Sequence, residues 1–574
     1  MKYYHEWYVP NNIAICMSGD LDPDETVRVI EKYFGDWQPS DSLPLRSFPQ
    51  EKPLTAPHDT TVVGQETPMV ALGWRLPAKS DPQYGLMVVA NQVLCNGKCG
   101  LFDQNLNNAQ QVMQSETFVD GMTDQSAFWT IGCPKDGQSL EEVRKLMMEQ
   151  VRLLTSGQWD ESLLKAILNN MKRSQLENLQ SNELRASSFV DAFVAGQSWA
   201  DAVGEMQRLD TLTKKTVVDC ARRMLTEGYA CVYKRQGVDT SAKKIEKPHI
   251  SPIETNRDKS SAFVDSVLKM PVAEVEPVFI DFSREVQRGT LQGGNELLAH
   301  RDVESKLFNL TFVVERGTKE EPALSVAEQY MPYLGTDSLN ATELQSRLYA
   351  LACDVTLRTQ DGRTYLTLSG LSDNMEEALR LTERWIAKAQ PDTAVYAQVV
   401  SDILKQRLDN KSNQRYCYSA LTQYGIYGSH NSITDALSAA QMMQTGAAGV
   451  LRSLRSLSEY TQHVLYYGPL ESTQVSRLIN ELHPMSDHPV AAHDGQFYSP
   501  LKVDESQVII APFQAKNTYM MGYSSRGEAF EQAMMSYADV FNEYFGGGMN
   551  SIVFQELRES RGLAYSAGAR FSLA

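Results

Sequence analysis

The chain has 574 residues, of which 42% are hydrophobic and 22% charged. That balance describes a globular protein of three to five domains and excludes a disordered or fibrous one. The formal net charge is −17. Nucleic-acid binding needs Lys and Arg to neutralise phosphates, so the composition argues against it, while an acidic surface suits solubility or a chamber that draws in basic peptides. No apolar run approaches the roughly 18 residues of a membrane helix.

In chain order, Met1–Trp7 lacks the apolar stretch of a signal peptide. Ile15-Cys16-Met17-Ser18-Gly19-Asp20-Leu21 reads as a strand ended by glycine, with a helix from Asp24 to Phe34. Val70 to Trp74 is a strand leading to a helix and then to Gly97-Lys98-Cys99-Gly100-Leu101-Phe102-Asp103-Gln104-Asn105-Leu106. Cys95 and Cys99 flank a glycine turn there and read as small apolar residues. The eight cysteines form no CxxC pair, which excludes a disulfide scaffold. Ser139-x-x-Glu142 is a capping box. It opens a helix with Leu140, Val143, Met147, Val151 and Leu154 on one face, stopped by Gly157. Glu161 to Ala195 is long and helical. Leu307 to Arg316 is a strand, followed by Gly317 and a helix. Val355 to Leu368 predicts a hairpin turned at Asp361-Gly362. Leu465-Tyr466-Tyr467-Gly468-Pro469-Leu470 repeats the pattern of Ile15 to Leu21.

The spacing from strand glycine to final leucine recurs near the C-terminus. There, Tyr519-Met520-Met521-Gly522-Tyr523 precedes a helix and Gly548-Met549-Asn550-Ser551-Ile552-Val553-Phe554-Gln555-Glu556-Leu557. Such repeats make the chain a series of related modules. Strands and helices alternate in each, so the fold class is α/β or α+β, a mixed sheet with helices on one face. The expected boundaries are 1–45, the end of a first module; 46–236, a second; 237–275, a Lys-, Ser- and Pro-rich linker; 276–482, a third; 483–499, a linker; and 500–574, the start of a fourth. His483, His488 and His493 lie five apart, with Pro484 and Pro489 between them. This spacing suits a linker better than a metal site.

The block from Tyr544-Phe545-Gly546-Gly547-Gly548-Met549 through Phe554-Gln555-Glu556-Leu557-Arg558 to Gly562-Leu563-Ala564-Tyr565 resembles the signature of the pitrilysin/insulinase family of zinc metallopeptidases. Residues Tyr4-x-x-Trp7-Tyr8-Val9-Pro10-Asn11-Asn12 through Asp22 are similar to the end of that family's first module. The resemblance implies four modules of the LuxS/metallohydrolase-like fold, closing as a chamber around a peptide or unfolded polypeptide. In the family, zinc is held by an inverted HxxEH motif in the first module, and its Glu activates water. No HxxEH occurs here. In the third module, Tyr333-Leu334-Gly335-Thr336 resembles the sequence that follows the motif. Counting back, the motif positions fall on Val326, Gln329 and Tyr330, none of them a ligand.

The resemblance therefore implies a chain cut through a module at each end, with the zinc ligands upstream of residue 1 and roughly 170–190 residues missing there. The partner would be that missing N-terminal module or a homologous catalytic subunit. The resemblance further implies that Arg558 and Tyr565, seven residues apart, reach the substrate backbone near the scissile bond and stabilise a developing oxyanion. Read without it, Arg558 is a solvated helix residue and Tyr565 a half-buried strand residue. Gly546, Gly547 and Gly548 are either a close approach for substrate backbone or a helix C-cap permitting a tight reversal. The expected function is the non-catalytic middle portion of a zinc metalloendopeptidase, supplying chamber walls and a substrate clamp and inactive alone. The other reading is a natural pseudo-peptidase that binds peptide or a catalytic partner. The family occurs in bacterial envelopes, cytosol and organelles, so the sequence leaves the compartment open.

Overall fold

A computed structural model describes residues 2–41, 43, 48–49, 51–239, 260–272, 276–491, 495–515, 517–527 and 530–573. His493 and most of the 237–275 segment lie outside the described residues.

Local chemistry sets the helix ends. The Leu140–Ser156 helix has its capping box intact: Glu142 N–H donates to Ser139 Oγ at 3.2 Å, and Ser139 N–H donates to Glu142 Oε2 at 2.9 Å. Gly157 ends it at φ 76°, a conformation that costs glycine nothing. The helix expected from Glu161 to Ala195 is two helices, Ser162–Leu179 and Asn182–Val194. The break falls at Ser181, whose hydroxyl accepts from Leu184 N–H and restarts the helix as an N-cap.

The first sheet comprises β1 (His58–Gly64), β2 (Met69–Pro77), β3 (Gln114–Asp120), β4 (Gln125–Cys133) and β5 (Ala230–Gln236), in the order β1-β5-β2-β4-β3. Only β1 and β5 run parallel. Strand side chains alternate between faces, and here one face is buried. Val70, Leu72, Trp74 and Leu76 of β2 form a core with Met87, Val93, Met147 and Leu154 from covering helices. Each such burial contributes about 1.5–3 kcal/mol.

The second sheet comprises β6 (Gln287–Thr290), β7 (Glu296–Arg301), β8 (Leu307–Val314), β9 (Cys353–Thr359), β10 (Thr364–Leu371) and β11 (Gln462–Gly468), ordered β6-β7-β11-β8-β10-β9. The expected hairpin is β9–β10, with Thr359 opposite Thr364 and Asp361-Gly362 in the connection. Gly362 does not adopt a left-handed φ. Its role is close approach, since a Cβ there would lie 2.8 Å from Gly495 C and from the Phe497 ring.

The chain divides into two compact units. One holds Met1–Asp239, Phe282–Cys417 and Ser432–Phe497; the other holds Thr240–Asp281, Tyr418–Asn431 and Tyr498–Ala574. The expected boundaries 46–236 and 276–482 each enclose one sheet, but both sheets fall in the first unit, and 418–431 is assigned to the second. Polar contacts explain the union of the sheets. Arg173 Nη2 lies 2.5 Å from Asp354 Oδ2, Lys135 Nζ lies 3.1 Å from Asp402 Oδ2, and Asn170 Nδ2 donates to Tyr349 O at 2.7 Å.

Three expected strands are absent among the described residues: Ile15–Leu21, Tyr519–Tyr523 and the segment after Gly562. A strand needs a neighbour for its ladder, and none pairs with these segments. Val508, Ile510 and Met520 are exposed accordingly.

Candidate functional site

At the expected metal-motif positions, the short helix Leu324–Tyr330 carries Val326, Gln329 and Tyr330. Val326 and Tyr330 are buried beside Leu324, Ala327 and Trp385. Tyr330 Oη donates to Asp392 O at 2.9 Å and accepts from Asp392 N–H at 2.8 Å. Its ring meets Tyr396 edge-on at 5.3 Å, and burial raises its pKa. Zinc takes imidazole, thiolate or carboxylate, so these residues do not fit it. Among the described residues, no three His, Cys, Asp or Glu gather as a metal site. Cys95 and Cys99 are packed thiols whose pKa burial pushes up to about 12.

His483 corrects the linker reading. It is buried at the end of the Ser472–Leu482 helix, stacked on Phe312 at 4.0 Å between ring centroids. Its Nδ1 donates to Glu383 Oε1 at 2.7 Å, and its Nε2 faces Gln462 Oε1 at 3.0 Å. The residue belongs to the core of the second sheet, although Pro484 follows directly. His488 N–H donates to Ser486 Oγ.

The C-terminal block is a helix, Met535–Asn542, that widens into a π-helix over Glu543–Gly547, followed by a second π-helix, Phe554–Ser560. Widening to i→i+5 bonding is rare and recurs at functional sites. None of Gly546, Gly547 and Gly548 takes a left-handed φ, so the run is not a left-handed C-cap. Gly546 instead allows close approach, since a Cβ there would stand 2.1 Å from Ala569 O. The approaching segment is fixed by Asn542, whose amide donates to Phe571 O at 2.9 Å and accepts from Phe571 N–H at 2.6 Å.

Arg558 and Tyr565 are brought together. Gly562 turns the chain with φ 56°, its N–H donates to Arg558 O, and Leu563 N–H donates to Leu557 O. The reversal lays the Tyr565 ring 4.8 Å from the Arg558 guanidinium carbon, with Phe554 at 4.6 Å. The guanidinium thus packs against two rings, a cation–π arrangement. Its ion pair is a 3.5 Å contact to Glu559. Tyr565 is 86% exposed, so the half-buried strand setting does not apply. Phe554 was not singled out from the sequence. Its signal was the four-residue offset from Arg558, which places two side chains on one helical face.

The earlier repeat copy shows the same local form. Aligning Gly97 with Gly548 puts Asp103 on Phe554, and a π-helix begins at each: Asp103–Asn108 and Phe554–Ser560. Asn107 stands where Arg558 stands. Its side chain bonds Ser115, accepting from its N–H at 2.8 Å and donating to its carbonyl at 2.9 Å. In both copies this helix position holds the returning chain, by amide bonds in one and by stacking in the other.

The peptidase M16 inactive domain matches residues 1–171 and 463–574. No curated protein matches. Among solved structures, the periplasmic protease PqqL from Escherichia coli is 15% identical over 88% of this chain and 59% of its own, with a TM-score of 0.34. A mutant of the ferredoxin protease FusC, solved in complex with Arabidopsis ferredoxin, is 11% identical over 87% of this chain and 59% of its own, with a TM-score of 0.42. The peptidase M16 inactive domain from Pseudomonas fluorescens is 17% identical over 50% of this chain and 71% of its own, with a TM-score of 0.39. The chain thus spans about three fifths of the length of the first two.

Proposed function

The chain belongs to the peptidase M16 family through the inactive domain it carries over residues 1–171 and 463–574, and we propose that it is the peptide-holding part of a zinc metalloendopeptidase. The observation that carries this reading is the Arg558 arrangement. The Phe554 and Tyr565 rings hold the guanidinium by cation–π attraction, and apart from the 3.5 Å contact of Nε to Glu559 no ion pair or hydrogen bond among the described residues takes its N–H donors. An extended peptide presents carbonyls to such donors. Arg558 donates to one carbonyl, and the exposed Tyr565 hydroxyl donates to the same or a neighbouring one. Binding through backbone reads little side-chain sequence.

The residues at the motif positions do not fit zinc, so no hydrolytic step runs through this chain. Zinc and its activated water belong to a catalytic module or homologous subunit, and the substrates are peptides or unfolded polypeptides. A bacterial envelope location, as in the periplasmic Escherichia coli protein, is part of the proposal. Among the described residues no helix is long and apolar enough to cross a membrane.

The test combines binding and turnover. A fluorescein-labelled unfolded peptide should bind the chain by anisotropy, and Arg558→Ala should weaken it about tenfold, the size of one lost charge-assisted hydrogen bond. Added zinc should give no cleavage. Equal binding by wild type and Arg558→Ala refutes the clamp. Chelator-sensitive turnover by the pure chain refutes its non-catalytic role. The intact mass and zinc content of the native species then separate the two contexts. A zinc protein larger than 64.3 kDa is a complete peptidase, and a zinc-free species of that mass is a pseudo-peptidase.

A further inference from the structure

The core of the six-stranded sheet is split. One apolar cluster gathers Leu324, Tyr330, Trp385 and Leu454, and another gathers Phe312, Leu368, Leu379 and Val464. A cavity of about 300 Å³, lined from both clusters, lies under the helices. Protein interiors hold few voids larger than a water. An apolar cavity of about 150 Å³ is enough to take benzene. This one has twice that volume.

Its walls are mainly apolar: Val314, Leu357, Leu366, Ile386, Leu454 and Leu457. One end is polar, formed by Glu383, Gln462 and His483, which are 9%, 2% and 8% exposed. His483 bridges the other two through both ring nitrogens. That leaves Glu383 Oε2 and the second amide atom of Gln462 without a hydrogen bond among the described residues. The polar groups at this end are largely engaged with one another and with backbone. His483 faces the Glu383 carboxylate, and Arg455 spends its Nε and Nη2 on the carbonyls of Ile386 and Ala389. Glu383, Ala387 and Pro484 also line a surface depression with Arg384 and Lys388, so Glu383 borders both the cavity and the surface. An apolar pocket of this volume with a few convergent polar groups is the usual form of a small-molecule site.

We propose that this cavity binds a small, uncharged, largely apolar molecule of one or two rings carrying a single hydroxyl or N–H group. The body lies among Leu357, Leu366, Ile386 and Leu457. The donor meets Glu383 Oε2. The site is separate from the peptide clamp and does not rest on that reading.

The probe is 2-naphthol, titrated calorimetrically into the full chain beside 2-methylnaphthalene, which replaces the hydroxyl by a methyl group. Expected is saturable one-to-one binding of 2-naphthol, with 2-methylnaphthalene about tenfold weaker, as is 2-naphthol on Glu383→Gln, because a bond to a charged acceptor is the stronger one. Ile386→Trp fills the cavity and abolishes binding. Should that variant lose its native circular-dichroism spectrum, Leu457→Phe makes the same test with a smaller filling. No binding by wild type, undiminished binding by the spectrally native filled variant, or equal binding of both probes overturns the proposal.

Discussion

Tyr330→Phe tests whether the degenerate motif position serves as core. The Tyr330 oxygen makes two hydrogen bonds, both to the backbone of Asp392. Asp392 in turn caps the Thr393–Asn410 helix, its Oδ1 accepting from Ala394 and Val395 N–H. Deleting the hydroxyl leaves the Asp392 N–H unpaired beside a fully buried ring, while the Asp392 carbonyl keeps the Tyr396 N–H at 2.9 Å. A net bond is worth about 0.5–1.5 kcal/mol, and an unsatisfied buried group costs about 1–3 kcal/mol. The expected loss is about 1–3 kcal/mol. Melting entropy grows with size, so in a unit of about 440 residues each kcal/mol moves the thermal midpoint by only about 1 °C, and Tm should fall by about 1–3 °C. Differential scanning calorimetry reads the shift, and urea denaturation should show a lower midpoint at unchanged slope. Tyr330→His adds the loss of ring packing and should gain nothing from zinc, because Val326 supplies no second ligand. A Tyr330→Phe stability in urea within about 0.5 kcal/mol of wild type, below the smallest loss expected, refutes the two bonds. A zinc-dependent rise of Tm in Tyr330→His refutes the claim that the position is purely structural.

Four further outcomes are expected. Gly546→Ala places a methyl group 2.1 Å from Ala569 O, and overpacking of this kind costs about 1–3 kcal/mol; limited proteolysis should cut faster near residue 570. Ser139→Ala removes the capping box and should lower stability by about 1 kcal/mol in urea. Arg173→Met leaves Asp354 without its 2.5 Å partner between the sheets, and hydrogen exchange should rise in both the Ser162–Leu179 helix and β9. The Tyr467–Asp302 bond, at 2.6 Å, should bracket a pH window. It holds the Asp302 pKa below its ordinary value and raises Tyr467 to about 12. The Asp302 contribution is therefore present above about pH 3.9 and lost as pH falls through the lower folded value; that of Tyr467 is present below about pH 10 and lost as pH rises towards about 12. Tyr467→Phe should abolish the alkaline limb, as read by urea stability against pH, and only weaken the acid limb, as read by carboxyl NMR titration, because Glu304 N–H still donates to Asp302 Oδ1.

Local signals carried far where the chemistry is local. The Ser139–Glu142 box, the Gly157 stop, the hairpin around Asp361-Gly362 and the alternation of β2 needed no information beyond neighbouring residues. Where the outcome depended on a distant partner, sequence reasoning misread the segment. Tyr519–Tyr523 has the composition of a strand, but a ladder requires a second backbone. His483 sits between a helix and two prolines and reads as linker, yet Glu383, a hundred residues earlier, draws it into the core. Gly362 and Gly546 were legible as turn glycines. Their use is to admit backbone from residues 495 and 569.

The candidate site divides in the same way. Sequence by itself determined the modular α/β class, the absence of an HxxEH motif and the seven-residue Arg558–Tyr565 spacing, because residue type and separation along the chain are enough for each. Tertiary structure decided that Val326 and Tyr330 are core, that Phe554 joins Tyr565 against the Arg558 guanidinium, and that Glu383, Gln462 and His483 line one cavity. Those facts depend on which surfaces meet after apolar burial has chosen the packing. A linear pattern encodes which face of an element is buried, but not what is buried against it.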